Sequence, residues 1–214
     1  MKKLKIKICG MREPGNIREI SALSPDYMGF IFYPHSKRYV GGLSAADLSD
    51  IPENIRRVGV FVNMTPEDML TECGRMKLDA VQLHGSESPD VCKLMKQEDL
   101  EVIKAFNIAQ ETDFDVLRDY LDACDMFLLD TAGPGFGGTG LKFDWNRLRD
   151  YKFDKPFMLS GGIGPTDAEE ILSIDHPRFY GIDLNSRFEL EPGMKDGPAL
   201  AGFVSRIRTA GEQD

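Results

Sequence analysis

The stretch RVGVFVNMTPEDMLTECGRMKLDAVQLH, residues 57–84, decides the fold. Its opening run RVGVFV is rich in valine, which predicts a strand that starts at Arg57. Thr65 and Pro66, followed by two acidic residues, are typical of a helix start before MLTEC. DAVQLH then predicts a second strand from Asp79. A strand, a helix and another strand form one βαβ unit, whose two strands run in parallel.

The same alternation extends along the whole chain. Strands are predicted to start near residues 4, 27, 57, 79, 101, 126, 156 and 179. Helix start signals lie between them at Pro14, Ser44, Thr65, Ser88, Asp113, Asp144 and Pro165, and a last amphipathic stretch covers Gly197 to Ala210. Eight such units without a composition break predict an α/β chain folded as one (β/α)8 TIM barrel domain over residues 1–214. An open doubly wound sheet is the competing fold.

The composition restricts the classes of function. The 214 residues include 26 Lys and Arg against 35 Asp and Glu, a formal charge of −9, and 42% are hydrophobic. These values are ordinary for a soluble globular protein, and a net negative chain is not expected to bind nucleic acid or an anionic membrane. The start MKKLKIKICG has no continuous apolar core of a signal peptide, and no apolar run approaches the roughly 20 residues of a membrane helix. We therefore expect a cytoplasmic protein.

Polar residues stand where the predicted strands end, and active sites of barrel enzymes lie at those ends. Cys9 closes the first strand. Because side chains alternate along a strand, Lys7 shares its face. A lysine inside a barrel needs a carboxylate partner, and a nearby cation lowers a thiol pKa from about 8.5 towards neutrality. Cys9 is thus a candidate general base, although a cysteine at this position is also often a small buried apolar residue.

Asp130 ends the apolar strand FLLD and opens the glycine-rich loop TAGPGFGGTG. A carboxyl group at this place can act as a general acid, or it can cap a turn. The glycines Gly133 to Gly140 match GxGxxG twice, but no helix starts directly behind them as dinucleotide binding requires. A lid over the barrel mouth accounts for this loop better.

Two anion sites are predicted on opposite sides of the barrel mouth. The turn SGGIGP, residues 160–165, follows the seventh strand and precedes a helix start, which favours phosphate binding over a bare tight turn. In HSKRY, the planar fork of Arg38 suits a carboxylate, although a solvated basic loop is the simpler interpretation. Of three histidines only His84 falls at a strand end, and there is no HExxH. No catalytic metal is expected.

Six motifs, taken together, resemble one family. KICGM, FYPHSKRY, RVGVFVN, VQLHG, LLDTAGPGFGGTG and LSGGI occur in order over nearly the whole chain. They are similar to phosphoribosylanthranilate isomerase of tryptophan biosynthesis. The resemblance implies an Amadori rearrangement of N-(5'-phosphoribosyl)anthranilate to 1-(2-carboxyphenylamino)-1-deoxyribulose 5-phosphate, with no metal and no cofactor. The partner is then a small phosphorylated substrate, and the chain is a monomer or a homodimer.

The resemblance also assigns residue roles. Asp130 is then the general acid for the furanose ring oxygen, and Cys9 is the general base for the C2' proton. Arg38 contacts the anthranilate carboxylate. The strand-seven glycines, Gly161 and Gly162, bind phosphate. The remaining substrate-binding positions lie at the end of strand eight and are Asp183 and Ser186.

One departure from the family pattern follows strand eight. The family often reads Asp-x-x-Ser-Gly-Val-Glu there, whereas Arg187 replaces the glycine in this chain. Arg187 either turns outward or adds a charged contact to phosphate.

Other classes of function fit the motifs less well. A metal-dependent epimerase needs more histidines at strand ends, and an indole-forming synthase needs a lysine and glutamate pair. A non-catalytic phosphate sensor does not need both Cys9 and Asp130. The related isomerisation of the histidine pathway usually accompanies two aspartates, and stays open as a second activity.

Overall fold

Eight parallel strands close into a barrel. A computed structural model of the chain describes residues 3–109, 111–131 and 143–210. The strands pair in chain order, and the first also pairs with the last. They are β1 (Lys5–Cys9), β2 (Tyr27–Ile31), β3 (Arg56–Phe61), β4 (Ala80–Leu83), β5 (Glu101–Ile108), β6 (Met126–Thr131), β7 (Phe157–Leu159) and β8 (Phe179–Leu184). Each begins within one residue of its predicted start, so the (β/α)8 barrel is confirmed and the open sheet is wrong.

Five α-helices in the described part of the chain pack around the strands. They are α1 (Pro14–Ser21), α2 (Pro66–Met76), α3 (Pro89–Gln97), α4 (Ala168–Leu172) and α5 (Gly197–Ala210). The start signals work as predicted at two of them, because the hydroxyls of Thr65 and Ser88 accept hydrogen bonds from backbone N–H groups in the first turns of α2 and α3. Within the ranges described, no helix is long and apolar enough to cross a membrane.

Three connections expected to be helical form short 3-10 helices instead, at Ala45–Leu48, Phe114–Tyr120 and Trp145–Asp150. Their predicted caps are in place: Ser44 forms a capping box with Asp47, and Asp113 and Asp144 accept backbone hydrogen bonds. All three segments are short, and the two later ones, FDVLRDY and WNRLRD, contain aspartate, asparagine and aromatic residues. Such residues have weak helix propensity, and brief helical pieces commonly take the 3-10 form.

A small hairpin that the strand pattern does not predict follows β8. A 3-10 turn, Ser186–Phe188, leads into β9 (Glu189–Glu191), which pairs antiparallel with β10 (Met194–Lys195). Pro192 and Gly193 make the turn between them, and Gly193 has a φ of 90°, a left-handed conformation that suits glycine. The hairpin brings Glu189 and Lys195 back towards the barrel mouth.

The barrel has an apolar interior below its polar mouth. The interior cluster consists of Tyr27, Val58, Ala80, Ile103, Ala105, Met126, Leu128 and Met158. A larger apolar layer lies between the strands and the surrounding helices. Because the interior is filled, a ligand can approach the strands only from their ends. The predicted lid at residues 133–140 lies outside the described residues.

The seam between β1 and β8 depends on a glycine, which gives a test of barrel closure. A Cβ atom added to Gly181 would lie 2.3 Å from the Lys5 carbonyl oxygen. We expect Gly181→Ala to lower the free energy of unfolding by about 1–3 kcal/mol in urea titrations, because backbone must shift. Gly202→Ala is the matched control: an added Cβ there meets nothing within 4 Å, and the helix should gain roughly 0.5–1 kcal/mol. Wild-type stability in Gly181→Ala would contradict this account of the seam.

Candidate active site

All seven residues that the sequence analysis assigns to a site line one cleft. The cleft opens at the carboxyl ends of the barrel strands. The predicted residues in its wall are Cys9, Arg38, Asp130, Gly161, Gly162, Asp183 and Ser186. They come from five separate strand ends, so the fold and not the local sequence brings them together.

A buried ion pair lies at the base of the cleft. Lys7 Nζ is 3.0 Å from both carboxylate oxygens of Asp183, and neither side chain is more than 4% exposed. Asp183 is thus the carboxylate partner that a lysine inside the barrel requires. Burial alone would lower the pKa of Lys7, but the attraction of Asp183 and of a Cys9 thiolate outweighs it, and the pKa is raised. Lys7 therefore stays a cation.

Cys9 is next to this pair at the end of β1. An added Cβ on Gly29 would lie 2.8 Å from Cys9 Sγ and 3.1 Å from Lys7 Nζ, so both groups lie over the same glycine. The expectation that Lys7 brings the thiol towards neutrality is wrong in its net direction. Burial raises the pKa of Cys9 above its ordinary value, and Lys7 and Lys195 offset only part of that rise. Asp183 adds to it, because a second negative charge disfavours the thiolate.

Arg38 is held by a carboxylate of the protein. Its Nε lies 2.8 and 3.0 Å from the two oxygens of Glu189, and one terminal nitrogen contacts Glu189 as well. Glu189 also accepts a 2.7 Å hydrogen bond from Lys195 Nζ, which donates to Asn185 at the same distance. Burial would raise the pKa of Glu189, but the two cations outweigh it and the pKa is lowered. The remaining edge of the guanidinium can face a ligand carboxylate.

Asp130 at the end of β6 has a different neighbour on each oxygen. Oδ1 accepts the N–H of Thr131 at 2.9 Å, and Oδ2 lies 3.3 Å from His84 Nε2. Both side chains are largely buried. The His84 ring is contacted on its other nitrogen by the amide of Gln82 at 2.6 Å. Gln82, His84 and Asp130 therefore form a short chain of polar groups in the wall of the cleft.

The glycine turn after β7 has a conformation that side chains rarely adopt. Gly161 and Gly162 have φ values of 89° and 69°. An added Cβ on Gly161 would lie 2.5 Å from the backbone nitrogen of Thr131. The turn itself lines the cleft, but α4 has only five residues and begins at Ala168. The contribution expected from a helix end is correspondingly small, which leaves the backbone N–H groups of the turn as the candidate donors to an anion.

Sequence reasoning missed several residues around this cleft. Glu189 and Lys195 belong to the hairpin after the last strand. Gln82 lies within VQLHG and Asn185 between Asp183 and Ser186, but neither pattern assigns these two residues a role. The run ELEPGMK carries a usable signal, since Pro-Gly between two short runs is typical of a tight hairpin. Among the residues that the structure describes, no three His, Cys, Asp or Glu side chains are grouped so as to hold a metal ion.

A closed barrel that gathers a thiol, two carboxylates and a guanidinium at the ends of its strands defines a (β/α)8-barrel enzyme. The family model described as N-(5'phosphoribosyl)anthranilate (PRA) isomerase matches residues 6–206. The chain belongs to the N-(5'-phosphoribosyl)anthranilate isomerase family, and the prediction of an isomerase of tryptophan biosynthesis is confirmed.

Individual relatives agree with this assignment. An N-(5'-phosphoribosyl)anthranilate isomerase of Parabacteroides distasonis is 49% identical over 204 residues, which cover 94% of this chain and 92% of that protein. The crystal structure of phosphoribosyl anthranilate isomerase from Thermus thermophilus superposes with a TM-score of 0.85 at 28% identity, covering 96% of this chain and 99% of that one. A further isomerase structure, in complex with reduced 1-(o-carboxyphenylamino)-1-deoxyribulose 5-phosphate, gives 0.80 at 32% identity over 96% and 99%.

The contact between Lys7 and Cys9 gives a test that needs no substrate. Because Lys7 lowers the pKa of Cys9, Lys7→Met should move the titration of this thiol to higher pH. The rate of thiol alkylation is measured as a function of pH. The contribution of Cys9 is the difference between the protein that contains it and the same protein with Cys9→Ser. Lys5→Met is the control, since the Lys5 ammonium pairs with Asp26 at 2.7 Å. Equal titration curves for wild type and Lys7→Met would refute the activating role of Lys7.

Proposed function

We propose that this chain converts N-(5'-phosphoribosyl)anthranilate to 1-(2-carboxyphenylamino)-1-deoxyribulose 5-phosphate, with Asp130 as general acid and Cys9 as general base. The single observation that carries the proposal is that both groups line one cleft from different strands. The rearrangement opens the furanose ring and transfers protons within one molecule, so it needs an acid, a base and sites for two anions. The cleft offers a group for each of these tasks.

Asp130 starts the reaction in this scheme. Its proton passes to the furanose ring oxygen, and the C1'–O bond breaks to give the open-chain protonated Schiff base. The hydrogen bond from the Thr131 N–H fixes one carboxyl oxygen, so the other is the one that can reach a substrate atom. General acid catalysis of this type contributes about 100- to 10,000-fold to a rate.

Cys9 completes the proton transfers. Its thiolate removes the C2' proton, and the electron pair of that bond moves to form the enol amine, which then becomes the ketone. Burial opposes the thiolate, whereas Lys7 and Lys195 favour it. A base with a raised pKa is a strong proton acceptor once it is ionised, and the two cations help to form that state.

Two groups of residues are proposed to bind the anionic ends of the substrate. Arg38 lies on one side of the cleft and faces the anthranilate carboxylate with the edge of its guanidinium that Glu189 leaves open. The N–H groups of Gly161 and Gly162, with the Ser186 hydroxyl, bind the phosphate on the other side. Asp183 forms the wall between them and faces the sugar.

The setting of this activity is also part of the proposal. Residues 1–214 act as one barrel domain in the cytoplasm, as a monomer or a homodimer. The partner is the small phosphorylated substrate, and neither nucleic acid nor a membrane takes part. The formal charge of −9 supports this assignment, because an acidic chain is repelled by polyanions.

The activity is tested by the loss of anthranilate fluorescence when freshly made phosphoribosylanthranilate meets the purified protein in EDTA. Rapid loss is expected for wild type, and kcat should fall about 100-fold or more in Cys9→Ser and in Asp130→Asn. Cys73→Ser, on α2, and Asp90→Asn, whose side chain is 94% exposed, are matched controls and should keep wild-type rates. No fluorescence loss with wild type would refute the proposed function.

Arg187 is tested separately. Its side-chain carbons lie 3.6 and 3.8 Å from the position of a Cβ on Gly164, so it stands beside the phosphate turn. We expect Arg187→Gly to raise KM about 10- to 100-fold without a comparable change in kcat, because one charge-assisted contact is worth about 1.5–3 kcal/mol. The measurement is the same fluorescence assay over a range of substrate concentrations. An unchanged KM would mean that Arg187 turns away from the phosphate.

A further inference from the structure

A buried nitrogen of His84 points at the proposed general acid without a hydrogen bond. Nε2 is 3.3 Å from Asp130 Oδ2, and it is among the few buried side-chain nitrogens and oxygens that lack a hydrogen-bond partner within the described residues. The His84 side chain is 12% exposed and that of Asp130 is 6% exposed. A buried polar group without a partner is costly, and such groups are often retained for a catalytic purpose.

Gln82 determines which nitrogen of this ring carries the proton. Gln82 and His84 are two positions apart along β4 and its end, so their side chains lie on the same face. The Gln82 amide nitrogen is 2.6 Å from His84 Nδ1. With the Gln82 amide nitrogen as the donor, Nδ1 is the acceptor and Nε2 carries the hydrogen in the neutral ring. The unused N–H of His84 is therefore the one that faces Asp130.

The backbone on both sides of His84 is clamped by a second buried pair. Lys104 Nζ donates to the carbonyl oxygens of Leu83 and Gly85 at 3.0 and 2.8 Å, and it lies 3.3 Å from Glu87. Glu87 in turn accepts the N–H of Gly85 at 2.9 Å. Since Leu83 and Gly85 flank His84, the ring is held on a rigid support. Rigid placement of this kind allows a donor to act without reorganisation.

We propose that His84 is a positioning residue that donates its Nε2–H to Asp130 as this carboxyl releases its proton. The inference rests on the proposed function, in which the proton of Asp130 passes to the furanose ring oxygen. The carboxyl is neutral before the transfer and an anion after it, so the hydrogen bond strengthens as negative charge develops on Oδ2. An interaction that is stronger in the transition state than in the ground state accelerates the chemical step. His84 keeps its own hydrogen throughout, and no other proton moves.

The test compares two substitutions of His84. His84→Leu removes the donor, and we expect kcat to fall about 10- to 100-fold with KM nearly unchanged, the effect of losing a hydrogen bond to a charged group. His84→Gln offers an amide N–H near the place of Nε2 and should recover most of that loss. Circular dichroism and melting temperatures establish that both variants fold. Equal losses in the two variants, or a loss that appears in KM alone, would overturn the proposal.

A double-mutant cycle separates this role from a purely structural one. In the background of Asp130→Asn no carboxylate forms, so adding His84→Leu should change the residual kcat by less than about twofold. Gln82→Met keeps the His84 ring but removes the amide that fixes its tautomer, and it should likewise lower kcat only when Asp130 is present. This variant replaces His84→Leu in the cycle if His84→Leu does not fold. If the loss of kcat in the double variant equals the product of the losses in the two single variants, the proposed role of His84 is overturned. An inactive wild type would instead refute the proposed function itself.

Discussion

The ion pair between Lys7 and Asp183 is the interaction on which the cleft depends. It joins β1 to β8 at the seam that closes the barrel, where the two residues are register partners. Removing one member of such a pair leaves an uncompensated buried charge and commonly costs about 3–5 kcal/mol. The same lysine also lies against Cys9, so closing the barrel and assembling the cleft use a single pair of charges.

The order of strands could be predicted almost entirely from the sequence, whereas the type of each helix could not. Apolar runs such as RVGVFV and FLLD stand out because strands buried on both faces contain few polar residues. Ser44, Asp113 and Asp144 mark the correct starting points of helical turns. Whether such a turn continues as an α-helix depends on how the segment packs against the barrel and on the helix propensity of the residues that follow. A capping residue indicates neither of these.

The site was predictable where a side chain closes a strand, as at Cys9 and Asp130, because the barrel alone brings those ends together. The partners of these side chains were not predictable. Glu189 reaches Arg38 only because a hairpin folds back after the last strand. The net shift in the Cys9 pKa is not predictable from the sequence for a related reason: the cation at Lys7 is visible there, but the complete burial that outweighs it is a property of the folded chain.

The cluster at the barrel mouth also has consequences for charge. Arg38 and Lys195 together carry two positive charges, and Glu189 neutralises one of them. The cluster therefore keeps one net positive charge on half-buried side chains, in a molecule whose formal net charge is −9. Low-dielectric walls concentrate the field of such a charge into the opening. An anion that approaches this protein is thus repelled by the net charge of the molecule and attracted by the fixed positive charge at the mouth, which favours its arrival at the open end of the barrel.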